Sequence, residues 1–170
     1  MMKKIHVLTL MTLLSCSESL LAVVNSSVNL DIDAKSVSRV AIYYRERPVT
    51  GSSIDFPLPI DGISQRFERV SDLLYLVGNV PQAEIVFVDP AFVLNSLSGR
   101  REKINLSGYF IHNGISSDSR IPREVPVLKN ISEATVATGF KVHFRSEYSS
   151  GFYTQDSYAN TFTLLVTPKI

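Results

Sequence analysis

The residues that could do chemistry are few and scattered along this chain. Three histidines are present, and two of them, His112 and His143, lie beyond the N-terminal segment described below. Neither belongs to a His-x-x-x-His pair, a cysteine pair or an aspartate-rich loop, so the spacing of zinc and calcium ligands is absent from the sequence. Alternating charged and apolar residues place His143 on the polar face of a strand. We predict no metal site and no cofactor.

Catalytic motifs are equally scarce. The sequence has no Gly-x-Ser-x-Gly nucleophile elbow and no phosphate-binding glycine loop. Asp31 and Asp33 would share one face of a strand and could act as paired acids, but a solvated polar face is the favoured interpretation. Residues 100–103 are charged and are more typical of a solvated connector than of an anion site. We therefore predict no catalytic residue and no enzyme activity.

Two aromatic pairs are the remaining candidates for ligand binding. Tyr43-Tyr44 and Phe152-Tyr153 could stack on sugar rings. Because neighbouring side chains of a strand point to opposite faces, at most one of Tyr43 and Tyr44 is free for a ligand. The pairs do not define a receptor site by themselves.

The first residues have the composition of a bacterial export signal. A short basic head, residues 1–4, precedes a mostly apolar run over residues 5–14, which has about the length of a signal core. Residues 15–22 follow as the cleavage region, and we expect cleavage after Ala22. Residues 1–22 are thus assigned as a signal peptide, and the mature chain is expected beyond the inner membrane.

The one cysteine of the chain, Cys16, allows a second interpretation of this segment. Residues 13–16 resemble a bacterial lipobox, in which Cys16 would be lipidated and become the first residue of the mature protein. Under ordinary signal cleavage, Cys16 leaves with the signal. The mature domain then has no disulfide and no thiol chemistry.

Charge excludes one class of partner. The 17 basic and 16 acidic residues fall to 15 of each once Lys3, Lys4 and Glu18 leave with the signal. A net charge near zero argues against nucleic acid as a partner, because phosphate binding requires a basic surplus.

The cleanest pattern in the chain directly follows the signal. Residues 24–33 alternate strictly between two faces, as the side chains of a strand do. One face is polar throughout, and the other is apolar apart from one serine: Val24, Ser26, Val28, Leu30 and Ile32. A strand of this kind completes either its own sheet or the sheet of another molecule.

The remainder of the chain has the spacing of an all-β protein, with about seven short apolar runs separated by turns. We predict strands within residues 35–45, 67–78, 83–89, 103–111, 139–147 and 158–168. Residues 91–97 fit either a strand or a helical turn, residues 115–123 are predicted as a polar loop, and residues 125–128 as an edge piece. The predicted inward side chains include Val40, Ile42, Tyr44, Ile104, Leu106, Phe140, Val142, Phe144, Phe162, Leu164 and Val166.

The order of these segments resembles the pilin subunits of the chaperone–usher pathway, most closely the α-type group of the CFA/I and CS1 major pilins. The residues that carry the likeness are 24–33, 65–70, 83–89, and Gly151-Phe152-Tyr153 leading into 162–166. The polar insert at residues 154–157 is longer than that pattern has.

The resemblance implies an immunoglobulin-like antiparallel β-sandwich that lacks its last strand and is completed by donor-strand complementation. Residues 23–34 would be the N-terminal extension, and residues 35–170 the pilin domain. The extension would insert Val24, Val28, Leu30 and Ile32 into a neighbour's groove, with Ser26 at a shallow position. Phe162, Leu164 and Val166 would line this subunit's own groove, and a chaperone would anchor the carboxylate of Ile170.

The partners implied by the resemblance are neighbouring fimbrial subunits in a homopolymer, a periplasmic chaperone and an outer-membrane usher. The subunit would be exported through the periplasm to the cell surface and would support adhesion there. The alternative is a secreted or lipid-anchored β-sandwich that is complete in itself and binds a ligand. In that case residues 24–33 pair within their own sheet.

Overall fold

The computed structural model describes residues 36–170. The predicted signal peptide and the extension, residues 23–34, lie outside the described residues. Between residues 36 and 170 no helix has the length and apolar character needed to cross a membrane. The described part consists of twelve strands and two short 3₁₀ segments, Ile131–Glu133 and Ser150–Phe152, so the all-β prediction is confirmed.

The strands, numbered in chain order, are β1 (Val40–Tyr44), β2 (Arg47–Pro48), β3 (Arg66–Val70), β4 (Leu74–Gly78), β5 (Gln82–Phe87), β6 (Phe92–Ser96), β7 (Lys103–His112), β8 (Ile115–Asp118), β9 (Arg123–Leu128), β10 (Phe140–Ser149), β11 (Tyr158–Ala159) and β12 (Leu164–Lys169).

Two groups of strands meet at β9. The larger runs β11-β6-β7-β10-β4, with β1 beside β4, β3 beside β10 and β8 beside β7. The smaller runs β9-β5-β12. A short parallel pairing of β4 with β9, at Leu76–Val127 and Val77–Leu128, joins the two groups. All the other strand pairings among residues 36–170 are antiparallel.

Apolar side chains that alternate along the strands form the core. The inward set of β10 (Phe140, Val142 and Phe144) is buried, and so are Ile104 and Leu106 of β7, which confirms the predicted faces. The Phe144 ring lies at the centre of an aromatic cluster, with ring centroids 5.0 Å from Phe92 and 5.5 Å from Phe87. Edge-to-face packing of this kind stabilises beyond the area that it buries.

One open assignment is resolved and one prediction was wrong. Residues 91–97, which fitted either a strand or a helical turn, contain β6. Residues 115–123 were predicted as a polar loop, yet β8 forms a hairpin with β7 there. Asn113 and Gly114 adopt positive φ angles of 52° and 76°, which is the two-residue turn that brings paired strands together. The strand is polar because it lies outside the core.

The prediction of an edge piece at residues 125–128 was wrong. β9 has β4 on one side and β5 on the other. Pro126 is tolerated in this position because of the direction of its nitrogen. The Val127 N–H donates to Pro81 O on the β5 side at 3.0 Å. The Pro126 nitrogen, one residue earlier, therefore faces the side where pairing with β4 has not yet begun.

Two predicted strands are each divided in the structure. Residues 67–78 contain β3 and β4, separated at Ser71, whose hydroxyl accepts from the Val142 N–H at 2.9 Å. Residues 158–168 contain β11, which pairs with β6, and β12, which pairs with β5. Asn160 causes the second division, since its side chain donates to Val93 O at 2.7 Å.

Gly108 provides a test of the core packing. A Cβ atom there would lie 2.6 Å from Ser119 Oγ, 2.7 Å from Phe92 Cε2 and 2.8 Å from Phe144 Cε1. We predict that Gly108→Ala lowers the free energy of unfolding by about 1–3 kcal/mol, as overpacking does in other cores. Chemical denaturation measures the loss. Gly151→Ala is the matched control because a Cβ there has no atom within 4 Å; equal stability of the two variants would contradict the packing.

Candidate functional site

A groove of about 690 Å³ lies between the first and last strands of the described chain. β1 and the adjoining end of β4 form one wall, and the second half of β12 forms the other. Its lining includes Val40, Ala41, Thr50, Gly78, Val166 and Pro168. The groove therefore separates two strands that belong to different groups and do not pair with each other.

The backbone of β12 directs hydrogen-bonding groups into this groove. Thr163 uses its carbonyl to accept from the Val88 N–H at 3.1 Å, which orients its backbone towards β5. Because orientation alternates along a strand, Leu165 and Thr167 also face β5, whereas Leu164, Val166 and Pro168 face away. The missing N–H of Pro168 thus lies on the outer side, where proline is tolerated in a sheet. Leu164 and Val166 present a donor and an acceptor each.

β1 has the same arrangement over a shorter length. Ile42 accepts from the Val49 N–H at 2.8 Å and donates to Thr50 Oγ1 at 2.8 Å, both on the side away from β4. Val40, two residues earlier, directs its backbone to that same side. Gly78 permits the close approach of β1 and β4, because a Cβ there would lie 2.1 Å from Arg39 O.

Residues 47–50, named the arm, cover the remaining edge of β1. β2 pairs with β1 at Tyr43–Pro48 and Tyr44–Arg47. The turn before the arm is tethered by Arg45, whose Nε lies 2.7 Å from Asp72 Oδ2. This guanidinium holds the pKa of the Asp72 carboxyl below its ordinary value, chiefly through the hydrogen bond. The arm therefore lies on the groove side of β1.

After the arm, residues 54–58 lie outside the strands. Ile54, Phe56 and Leu58 pack against the core, while the residues between them are exposed. Within residues 36–170, the one hydrogen bond to the backbone of this segment is that from Arg69 Nη1 to Pro57 O, at 3.1 Å. Phe56 and Phe162 both contact the Phe144 ring, with centroids at 6.1 and 5.5 Å. This cluster is separate from the groove lining, whose apolar residues are Val40, Ala41, Val77, Val166 and Pro168.

Burial changes sharply from the middle of the fold to the groove walls. Leu76, Ala83 and Ile85 are at most 1% exposed. Other apolar side chains that pack against the core, Val40 and Val166 of the groove lining among them, are only partly buried: Val40, Ile42, Tyr44, Ile54, Phe56, Leu58, Phe162, Leu164 and Val166. Apolar side chains that face inward and still contact solvent mark a surface that another apolar segment can cover.

The residues predicted for the site lie in three different situations. Phe162, Leu164 and Val166 are partly buried and pack against the core, and Val166 lines the groove. Ile170 is fully exposed at the C-terminus. The proposed donor residues Val24, Ser26, Val28, Leu30 and Ile32 lie outside the described residues. The roles assigned to all of them remain predictions.

The polar candidates are dispersed through the fold. His143 Nε2 lies 2.7 Å from Glu68 Oε1 and joins β10 to β3, whereas His112 Nδ1 contacts Gly139 O at 2.9 Å. Residues 100–103 are exposed, as expected for a connector, and Asp31 and Asp33 lie outside the described part. No cluster of three or more His, Cys, Asp or Glu side chains suited to a metal ion occurs in residues 36–170.

Each aromatic pair has one ring committed to packing. Tyr44 and Tyr153 pack against the core. Tyr153 Oη also accepts from the Tyr148 N–H at 3.1 Å. Phe152 is 68% exposed, and its ring lies on Tyr148 with a centroid distance of 4.4 Å.

The arm is the element that sequence reasoning missed. Its turn consists of Arg45 and Glu46, both with positive φ, and neither is a residue that favours this conformation. The break predicted around Pro48 and Gly51 was the available signal, but it does not indicate that the chain folds back onto β1.

Comparison with known proteins finds likeness among solved structures alone. No family model matches the sequence, and no curated protein matches it. A solved structure described as "Chaperone-tip adhesin complex is vital for synergistic activation of CFA/I fimbriae biogenesis" contains a similar chain, at 13% identity and a TM-score of 0.47. The match covers 77% of this chain and 42% of that one, so this chain spans less than half the length of its neighbour. At these values the likeness assigns neither family nor function.

The tether of the arm can be tested by titration. We predict that Arg45→Gln raises the pKa of Asp72 towards its ordinary value, because the hydrogen bond that favours the carboxylate is removed. The pKa of Asp72 is lower in the folded than in the unfolded protein. The tether therefore stabilises the fold at pH values above the unfolded-state pKa, and this stabilisation is lost as the pH falls through the folded-state pKa. NMR titration of side-chain carboxyl signals measures both proteins. Asp118, held by Arg120, is the internal control; an unchanged Asp72 would refute the tether.

Proposed function

We propose that this chain is a structural subunit of a bacterial surface fimbria that polymerises by donor-strand exchange. The extension of one subunit enters the groove of the next, and a periplasmic chaperone and an outer-membrane usher act before and during that step. The polymer is a homopolymer and supports adhesion at the cell surface. The subunit itself has no enzymatic role.

The observation that carries the proposal is the groove between β1 and β12. It combines apolar lining residues, among them Val40, Ala41 and Val166, with the outward-facing backbone donors and acceptors of β12 at Leu164 and Val166. An open strand edge of this kind invites pairing with another strand and is an aggregation hazard if it stays open. A strand with one apolar face satisfies both features at once, which is β-augmentation.

The extension has the complementary pattern. One face carries Val24, Val28, Leu30 and Ile32 with Ser26 as its one polar residue, and the other face consists of Asn, Ser and Asp, which suit contact with water. Each apolar side chain that becomes fully buried contributes about 1.5–3 kcal/mol. The backbone ladder adds to this, so the junction between subunits is expected to be long-lived.

A structural role is also supported by the dispersion of polar groups. His112 and His143 each contact a partner within the fold rather than one another. The groove supports a strand as its occupant, since residues of β1 and β12 line its two sides.

Removal of the extension tests the proposal. We predict that deletion of residues 24–32 leaves a subunit that folds in the presence of the chaperone and forms no polymer, because it lacks the strand that fills the next groove. Electron microscopy and heat-stable laddering on gels measure polymer formation. A variant with Asn25 and Asn29 changed to Ser is the control, as it alters only the polar face. Normal polymers from the deletion variant would falsify the proposal.

Expression without a chaperone separates the proposal from its alternative, a self-complete ligand-binding sandwich. Expressed without a chaperone, such a protein is a soluble monomer with a cooperative melting transition. A subunit with an open edge aggregates, is degraded or oligomerises. A stable monomer would favour the alternative.

The wall of the groove provides a second test. We predict that Val166→Asp abolishes polymerisation, because it places a charge on the apolar surface that the incoming strand must cover. Leu165→Asp is the matched control: Leu165 is the next residue on the same strand, and it is 47% exposed. Polymer yield and subunit stability are measured for both variants. Equal yields from the two would show that this face of β12 is not the acceptor.

A further inference from the structure

Within residues 36–170, only part of the β1 edge that faces the groove is left unpaired, and this part ends where the arm begins. β1 pairs with β2 at Tyr43–Pro48 and Tyr44–Arg47 on the edge away from β4. Val49 and Thr50 continue this contact to Ile42 through the two hydrogen bonds given above. The edge of β1 from Ile42 to Tyr44 is thus already occupied by the arm.

The arm is a formed hairpin rather than a loose loop. Arg45 and Glu46 have φ angles of 49° and 62°, which are the left-handed angles of the tight turns that match the twist of paired strands. Non-glycine residues adopt this conformation at an energetic cost, so surrounding contacts must maintain it. Those contacts are present.

The contacts hold both ends of the hairpin. The turn is held by the Arg45–Asp72 ion pair, with the Tyr44 hydroxyl 3.4 Å from the same carboxylate. The base is held by Ser52, whose N–H and hydroxyl both donate to Val49 O, at 3.0 and 2.7 Å.

We propose that the arm is a fixed end stop of the groove, so that an incoming strand pairs with β1 only alongside residues 38–41. This inference rests on the proposed function, because the incoming strand is the extension of a second copy of this chain. Thr50 lies at the stop and lines the groove together with Val40 and Val166.

The stop limits the length of the paired segment. Four residues of a strand span about 13 Å and place two side chains on each face. Pairing is also limited on the β12 wall. Pro168 is the next residue after Val166 whose backbone faces the groove, and proline has no N–H to donate. Two of the four apolar residues of the extension therefore bear most of the contact, and the others lie beyond the stop or outside the groove mouth.

An engineered disulfide distinguishes an arm that stays paired with β1 from an arm that must detach before the incoming strand can bind. Tyr43 and Pro48 face each other as the non-hydrogen-bonded pair between two bonded ones, where Cα atoms lie about 4.5 Å apart, within the range that a disulfide bridges. The variant Tyr43→Cys/Pro48→Cys is prepared in the full chain and compared in its oxidised and reduced forms. Circular dichroism verifies that both forms are folded.

The expected result is polymerisation of the oxidised variant at the rate of its reduced form. If the oxidised variant does not polymerise and reduction restores polymerisation, the inference is overturned, because the arm must then detach from β1 to admit the strand.

Single alanine substitutions at Val24, Val28, Leu30 and Ile32 test the length limit. Two of them should slow assembly by about ten-fold or more, the effect of losing about 1.4 kcal/mol, and two should not. Comparable slowing by all four would contradict the stop. If deletion of residues 24–32 leaves polymerisation intact, the proposed function fails instead, and the two failures are thereby distinguished.

Discussion

The edge of β12 that has no strand partner within residues 36–170 is the constraint on which the rest of this structure depends. Leu164 and Val166 turn their side chains to the core and their backbone groups away from β5, and Val166 lines the groove. Any strand that satisfies those backbone groups is therefore also placed beside the apolar residues that line the groove. Satisfying a backbone ladder and covering apolar surface are normally separate requirements, but here the same segment must meet both. The pairing of β12 with β5 on its other side positions both features.

The opposite wall depends on close backbone approaches. Gly78 allows β1 to lie against β4, and Gly108 allows the aromatic cluster around Phe144 to close. That cluster joins two segments that lie outside the strands, because Phe56 and Phe162 contact the same ring. The arm occupies the edge of β1 from Ile42 to Tyr44 and so defines how far along β1 the groove extends.

Much of the fold could be predicted from period-two patterns. The inward faces of β7 and β10 and of residues 40–44 were correct, because burial on one face of a strand leaves a clear alternation. The errors have local causes. β8 was missed because Ile115 is its single apolar residue and gives no alternation, and β9 was placed at an edge because Pro126 suggested one. The division of residues 158–168 depends on a hydrogen bond from Asn160 to a distant strand, which no local pattern encodes. The arm was missed for a similar reason, since its turn has no glycine.

The candidate site was predicted only in part. The sequence indicated that Phe162, Leu164 and Val166 share a face, and the structure packs all three against the core, with Leu164 and Val166 on β12 and Phe162 just before it. The opposing wall, formed by β1 and the end of β4, could not be inferred, because strand order across a sandwich depends on tertiary contacts. Hydrogen–deuterium exchange in the assembled polymer tests the central claim most directly, with the Leu165 N–H, which faces β5, as the internal reference. The account predicts that the N–H groups of Leu164 and Val166 are protected as strongly as that of Leu165. Exchange of Leu164 and Val166 at the rate of an open strand, beside a protected Leu165, would contradict it.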